Sequence, residues 1–405
     1  MKVLVFNCGS SSLSYKIFDA LDSEHAEVIL SGKAHRVGVK SQEPSFLEFH
    51  FQGEERRDVV LLENHRQAAV LVLQFVKWKK IEIDLVGHRF VHGGSFFDGS
   101  AILNENTLKK LEACLPLAPL HNPISLSVIL ESLESLPDIP QYATFDSAFH
   151  SSIPTYAYTY ALPRPVAEKY GFRKYGFHGL SYAYVTREAA RFLGIPLDRL
   201  KLVACHLGTG GSSVAAIRNG RSIDTSMGYS PLPGLVMSTR SGDVDPMLSV
   251  YLMATYGYHP DELVELFNGQ SGLLGLSGYT SDIRDIIKRL SEGDERAELA
   301  FEMYVQRVKK YIGSYVLELE GMDVLVFTDD IGVHNWLVRE KICADMEWCG
   351  LILDQELNHQ ATDGTIADVS AAQSRVRVLV VPTEEERVIC LDGLRLSGMS
   401  DDSAN

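Results

Sequence analysis

Apolar and polar residues follow one another along this chain in a pattern that occurs twice. From Val3 to Asp19 the sequence VLVFNCGSSSLSYKIFD sets an apolar run, a Gly-Ser turn and an alternating run. From Leu202 to Gly220, LVACHLGTGGSSVAAIRNG repeats the arrangement. Alternation on either side of a glycine-containing turn predicts a β-hairpin, so two related hairpins lie about half a chain apart. A third apolar run, Val324 to Phe327, leads into the polar, glycine-containing stretch Thr328 to Gly332 and then a helical pattern from about Asn335 to Cys349. That reads as strand, turn, helix.

Helical spacing of apolar residues predicts further helices over Glu63 to Lys79, Ile124 to Leu133 (entered through Pro123), Tyr182 to Leu193, Pro246 to Tyr256 and Arg296 to Leu319. Leu85 to Val91 and Arg377 to Val381 read as strands, and Ser397 to Asn405 as a fraying tail. Strands and helices intermix throughout, which gives an α/β fold. No Pro-rich or Gly/Ser-rich linker separates domains, so closely packed halves with a cleft suited to a shared ligand are expected.

The length of 405 residues corresponds to two or three domains. Acidic residues outnumber basic ones, 53 to 38, for a formal net charge of −15. This balance argues against nucleic acid or an anionic membrane as a general partner. Mean hydropathy is −0.01, and no apolar run has the length of a membrane span. The start, Met1 to Phe6, runs into a strand without a signal-peptide pattern, so a cytoplasmic location is expected. Six scattered cysteines form no CxxC pair and are read as reduced, with no structural zinc.

Gly-Ser turns let several backbone N–H groups converge on an anion, because glycine brings no Cβ between backbone and ligand. Two such turns at equivalent places point to phosphate held by hairpins, whereas neither GxxxxGK[ST] nor GxGxxG is present. GHRFVHGG (87–94) sets Arg89 in an apolar strand, where its guanidinium requires a carboxylate or phosphate partner. STRSGDVDP (238–246) places Arg240 before Asp243 and Asp245, a phosphate-facing arginine or a salt-bridged loop. YGFHGLS (175–181) offers His178 among glycines, FDSAFH (145–150) offers Asp146 and His150, and LAPLHNP (117–123) offers His121, equally a helix-capping residue. In PTEEER (382–387), Glu384, Glu385 and Glu386 are candidate Mg²⁺ ligands or a solvated helix start. Two phosphate-sized turns, two arginines, a histidine and acids together suit phosphoryl transfer.

These strings, with NCGSSSLSYK, HLGTGGSS, DTSMGYSPLPGLVMSTRSGDVDP and SGLLGLSGYTSDIRD, closely resemble the acetate kinase family in order and over essentially the whole chain. The resemblance implies a duplicated actin-like, ribonuclease H-like fold with an active-site cleft between two domains, residues 1–150 plus about 383–405 and residues 151–382. It implies a homodimer that interconverts acetate plus ATP with acetyl phosphate plus ADP using Mg²⁺, for which Mn²⁺ can stand in. Residue by residue, Asn7 and Glu385 match metal-organising positions, and Arg89, Asp146, His178 and Arg240 match catalytic ones. Arg89, Val91, Leu120, Phe177 and Pro231 match the substrate pocket, in which a valine at 91 favours acetate over longer acids. The donor side is matched by Ser10, Ser12 and Lys16, by His206, Gly208, Thr209 and Gly210, by Asp282, Ile283 and Arg284, and by Asp330, Ile331 and His334. His121 matches a supporting position.

Departures from the family pattern fall on that donor side. HLGTG stands for the usual HLGNG, placing Thr209 for asparagine, and FTDDIGVHN stands for F-T-[AG]-G-I-G-E-N, placing Asp330 for glycine and His334 for asparagine. An aspartate where glycine allows close approach brings bulk and charge toward adenine. Three readings follow: an ATP-dependent acetate kinase, an acetate kinase using another donor such as pyrophosphate, and a catalytically weakened binding protein of the same fold.

Overall fold

The structure is a computed structural model that describes residues 1–22, 25–39 and 43–398. Most of the expected C-terminal tail, residues 399–405, lies outside the described residues. The chain divides into two compact units, one of residues Met1–Phe149 with the C-terminal segment from Glu384, the other of His150–Thr383.

The first unit holds strands β1 (Lys2–Cys8), β2 (Ser12–Ala20), β3 (Ala26–His35), β4 (Phe46–Phe51), β5 (Glu54–Val59), β6 (Leu85–Phe90), β7 (Ala101–Ile102) and β8 (Gln141–Phe145), in the sheet order β5-β4-β3-β2-β1-β6-β8-β7. The second holds β9 (Lys201–Leu207), β10 (Ser212–Arg218), β11 (Arg221–Thr225), β12 (Val324–Thr328), β13 (Ala367–Asp368) and β14 (Arg377–Val380), ordered β11-β10-β9-β12-β14-β13. Within each sheet the first hairpin is antiparallel, and its leading strand then begins a parallel run of three: β1 with β6 and β6 with β8, β9 with β12 and β12 with β14. The repeat legible in sequence is therefore a repeat of sheet topology.

Central strands read as continuous apolar runs because both faces are covered. Val3, Leu4, Val5 and Phe6 are fully buried, as are Val324 to Phe327. Helices His65–Trp78 and Asn122–Ser135 cover one face of the first sheet. The C-terminal helix Glu385–Leu396 belongs to the same unit, fixed by the Tyr142 hydroxyl donating to the Ile389 carbonyl at 2.6 Å. The 24-residue helix Glu295–Glu318 anchors the core of the second unit.

Two expectations need correction. The stretch after β12 is no open turn: Thr328 is extended, Asp329 takes φ 63°, and a short helix Asp329–His334 begins at once. The helix expected to reach Cys349 spans Trp336–Cys343, capped by the Asn335 side chain accepting from Val338 N–H. It stops because Ala344 is extended and Asp345 takes φ 61°, after which a separate 3₁₀ turn covers Glu347–Cys349.

Candidate active site

The two hairpin turns close in the same way. Gly9 N–H donates to the Ser12 carbonyl at 2.8 Å, and Gly208 N–H to the Gly211 carbonyl at 3.2 Å. Each turn spans four residues between paired positions, Cys8 with Leu13 and Leu207 with Ser212.

In the first unit, β1, β6 and β8 end side by side and bring Asn7, Arg89 and Asp146 together. Arg89 forks onto Asp146, Nε to Oδ1 at 2.9 Å and Nη2 to Oδ2 at 2.6 Å, while Nη1 donates to Asn7 Oδ1 at 3.0 Å. The Asn7 amide in turn donates to Glu385 Oε2 at 3.1 Å and Glu386 Oε1 at 3.0 Å. Burial works against the charge on Arg89, but Asp146 and Glu385 outweigh it and hold the proton more firmly than in water. Both alternatives for this arginine thus hold in part: Asp146 is an internal partner, 1% exposed, and further acids stand nearby.

The three glutamates do begin a helix, but they are not merely solvated. Lys16 stands 3.7 Å from Glu384 and 3.5 Å from Glu386, which places this candidate donor-side lysine against the acids of its own unit. Among the described residues no cluster of three His, Cys, Asp or Glu side chains forms a ready metal site. Asn7, Glu385 and Glu386 nevertheless supply hard oxygen atoms of the kind Mg²⁺ takes, one or two carboxylates with phosphate and water completing the shell. Ser10 is exposed and Ser12 half-buried at the first turn; Val91 is buried and Leu120 is 67% exposed. His121 occupies the N-cap position of Asn122–Ser135, as the capping alternative has it, with its carbonyl rather than its side chain taking the cap bond, from Ser125 N–H at 3.1 Å.

In the second unit, His178 sits at φ 60° immediately before the helix Gly179–Leu193. Its Nδ1 pairs with Ser213 Oγ on β10 at 2.8 Å, and Ser213 Oγ with the Tyr182 hydroxyl at 2.5 Å. The ring stacks on His206 with centroids 4.0 Å apart. A Cβ on Gly211 would lie 3.2 Å from Arg240 Nη1 and 3.5 Å from His178 Nε2, so both nitrogens converge on the bare backbone of the second turn. Arg240 departs from the salt-bridge alternative: Asp243 pairs instead with Arg307 and Tyr311, and the polar contacts of Arg240 are the Pro231 carbonyl at 3.5 Å and Met237 sulfur at 4.0 Å. Burial without a carboxylate pulls its pKa down. A cation left in this state is suited to an anionic ligand.

His150 is structural. Its ring bonds Ser222 Oγ at 2.8 Å and the Phe177 carbonyl at 2.9 Å, fixing the loop that presents His178. Phe177 itself is buried. Among the residues expected on the donor side, Thr209 donates to Asp330 Oδ2 at 3.3 Å, and His206 Nε2 lies 3.0 Å from Asp329 Oδ2. Gly210 adds no side chain to the turn, and the space a Cβ on Gly208 would need is filled by the Asp329 carboxylate. Asp282 caps the helix Ile283–Ser291 and is forked by Arg284. Ile283 and Ile331 place their side chains in the core, leaving only backbone to meet a ligand, and His334 Nδ1 bonds the Thr362 carbonyl at 2.9 Å. Ser213, Gly211 and Asp329 went unmarked in sequence. HLGTGGSS contained the first two, but only the register of β9 and β10 shows that they face His178.

A duplicated actin-like fold with paired glycine turns, arginines and acids defines a phosphotransferase acting on a carboxyl group. The match narrows further: the chain belongs to the Acetokinase family, whose model spans residues 2–391. It is 44% identical over 403 residues to the acetate kinase of Caldicellulosiruptor saccharolyticus, covering 98% of this chain and 99% of that one. It is 43% identical over 401 residues to that of Bacillus subtilis, covering 98% and 99%. The crystal structure of Porphyromonas gingivalis acetate kinase superposes with a TM-score of 0.88 at 40% identity over 98% of this chain and 99% of that one. A propionate kinase from Francisella tularensis gives 0.88 at 33% identity over 97% and 99%.

Proposed function

We propose that this protein transfers the terminal phosphoryl group of ATP to acetate, reversibly, by direct in-line displacement. The observation that carries the reading is the convergence of His178 Nε2 and Arg240 Nη1 on the second turn, with Arg240 lacking a carboxylate partner among the described residues. The acetate carboxylate oxygen forms the new P–O bond while the bond from phosphorus to the ADP oxygen breaks, with both electrons leaving on ADP. Arg89, held rigid by Asp146, orients the acceptor carboxylate; Arg240 neutralises charge on the equatorial oxygens of the phosphoryl group in flight, and His178 stabilises it by donating a hydrogen bond from Nε2. Asn7 and Glu385, with Glu386 alongside, would hold Mg²⁺, which when bound shields the phosphate charge from the attacking carboxylate.

His206, Gly208, Thr209 and Gly210 form the phosphate turn of the donor side in the unit His150–Thr383, and Asp282, Arg284 and the helix Asp329–His334 its nucleoside side. Val91 and Leu120 of the first unit and Phe177 and Pro231 of the second are assigned to the acetate methyl group by the family match alone. One methylene changes an apolar pocket by only about 1–3 kcal/mol, so propionate is a slower alternative substrate. Pyrophosphate as donor receives no support from the relatives. The retained charged residues likewise argue against the non-catalytic reading.

The helix Met247–Tyr256 supports a homodimer: none of its residues is buried, and Leu248, Val250, Tyr251, Met253 and Tyr256 are exposed. Six free, buried cysteines suit a cytoplasmic setting. The test is acetyl phosphate formation from acetate, Mg²⁺ and ATP, trapped as the hydroxamate. Rapid formation with ATP supports the proposal, and none with any nucleotide overturns it.

A further inference from the structure

Asp329 adopts φ 63°, a left-handed conformation that costs an L-residue free energy, and aims its carboxylate at His206 Nε2, 3.0 Å away. The other ring nitrogen of His206, Nδ1, lies 2.9 Å from Ser181 Oγ. Both edges of this buried imidazole are therefore fixed, and its face is stacked on His178 at 4.0 Å with 24° between the planes. His178 is fixed in turn by Ser213, whose hydroxyl also meets Tyr182.

We propose that Asp329 is a positioning residue that acts on His178 through His206, holding His206 as an oriented imidazolium. The proposal rests on the phosphoryl-transfer reading only for the role of His178. With its charge stabilised by Asp329, His206 donates from Nε2 to the carboxylate and from Nδ1 to Ser181 Oγ. A cation stacked on His178 then disfavours a second proton there. His178 is left neutral over a wider range, with Nε2 directed at Gly211 and Arg240. The other titratable or charged groups around the stack in this unit are Arg240, Tyr182, His150 edge-on to Tyr182, Tyr304, Cys205 and Asp330. Of the two aspartates that begin the helix Asp329–His334, Asp330 turns to Thr209, whereas Asp329 meets a ring nitrogen of His206 at a distance that can hold the proton.

The test is a ring-carbon NMR titration of selectively histidine-labelled protein, assigned through His178→Gln and His206→Gln, in the native chain and in Asp329→Asn and Asp329→Gly. Glycine accepts the left-handed backbone, so this second variant retains the fold. In the native protein the two rings should titrate apart, His206 above His178. In both variants the separation should shrink by about one pH unit, as expected for losing a charge at this distance. The limb of the kcat–pH profile that belongs to His178 should move up with it, while KM for acetate stays constant and Asp329→Glu restores part of the separation. An unchanged separation in both variants overturns the proposal, as does a change confined to KM for ATP. The titration remains decisive even if the native protein forms no acetyl phosphate, so failure of the functional reading and failure of this inference are distinguishable.

Discussion

The Thr209 hydroxyl donates to Asp330 Oδ2 across 3.3 Å, joining the turn between β9 and β10 to the helix that follows β12. These are two of the positions at which the sequence departs from the acetate kinase pattern, so the departures form one coupled change. Asp330→Gly should lower KM for ATP by removing bulk and charge from the nucleoside side, and Thr209→Asn should do less while Asp330 remains. Combined, the two should deviate from additivity by about 0.5 kcal/mol, a modest value for an exposed hydrogen bond. A double-mutant cycle on KM for ATP reads this directly, and strict additivity would show that the hydrogen bond carries no donor specificity.

Arg89 and Arg240 should separate activity from stability. Removing Arg89 leaves buried Asp146 without its bidentate partner, and breaking a buried pair in this way costs about 3–5 kcal/mol. Arg240 has no carboxylate to strand among the described residues. Arg89→Ala should therefore lose roughly 10²-fold or more in kcat together with a marked fall in Tm, and Arg240→Ala a comparable fraction of kcat with Tm unchanged or slightly raised. Thermal unfolding beside steady-state kinetics makes the comparison; equal destabilisation by both would contradict it.

The contrast between the two arginines shows which features are local in the chain and which are not. The hairpins are readable from sequence because strand alternation and turn glycines are local signals, and His150 is readable only as one histidine among several. Whether Arg89 meets an acid or a ligand cannot be decided there, since Asp146 lies 57 residues away and becomes its neighbour only when β6 and β8 pair. Asp243 and Asp245 look like partners for Arg240 because they are close in sequence, yet Asp243 turns to Arg307 and Tyr311 from another helix. The open turn expected at Thr328 to Gly332 becomes helical through a single left-handed residue, Asp329, which propensity does not reveal. Long-range pairing decides the arginine partners, and one backbone angle decides the turn; composition records neither.

The exposed helix Met247–Tyr256 gives a prediction about assembly. Leu248 is 47% exposed and Tyr251 58%, and three residues apart they lie on neighbouring positions of one helical face. Leu248→Glu combined with Tyr251→Glu should weaken a homodimer through like-charge repulsion and desolvation while leaving the core intact. Sedimentation equilibrium should show a dimer for the native chain and a monomer for the variant. A native monomer, or a variant that still dimerises through this face, would rule the assignment out.

His88 gives the fold a predictable acid sensitivity. It is 1% exposed on β6, its Nε2 bonds Gln141 Oε1 at 2.9 Å, and its Nδ1 is buried with no hydrogen-bond partner among the described residues. Burial pushes its pKa down to about 4 from an ordinary 6.5, against a smaller opposing contribution from Gln141. The unfolded chain thus binds a proton more readily than the folded one between those values, so stability is present above pH 6.5 and is lost as pH falls toward 4. Over the whole window the loss reaches about 3 kcal/mol, and between pH 6.5 and 5 about 2 kcal/mol. His88→Gln removes the titration and can keep a donor toward Gln141, but it loses the ring stacked on Phe6, so it should be less stable than the native chain at neutral pH. Its further loss between pH 7 and pH 5 should be smaller by about 2 kcal/mol. Urea unfolding at the two pH values measures both quantities. An equal pH dependence in variant and native protein would mean that His88 is not what acid attacks, leaving His65, whose pKa burial also lowers, as the next group to replace.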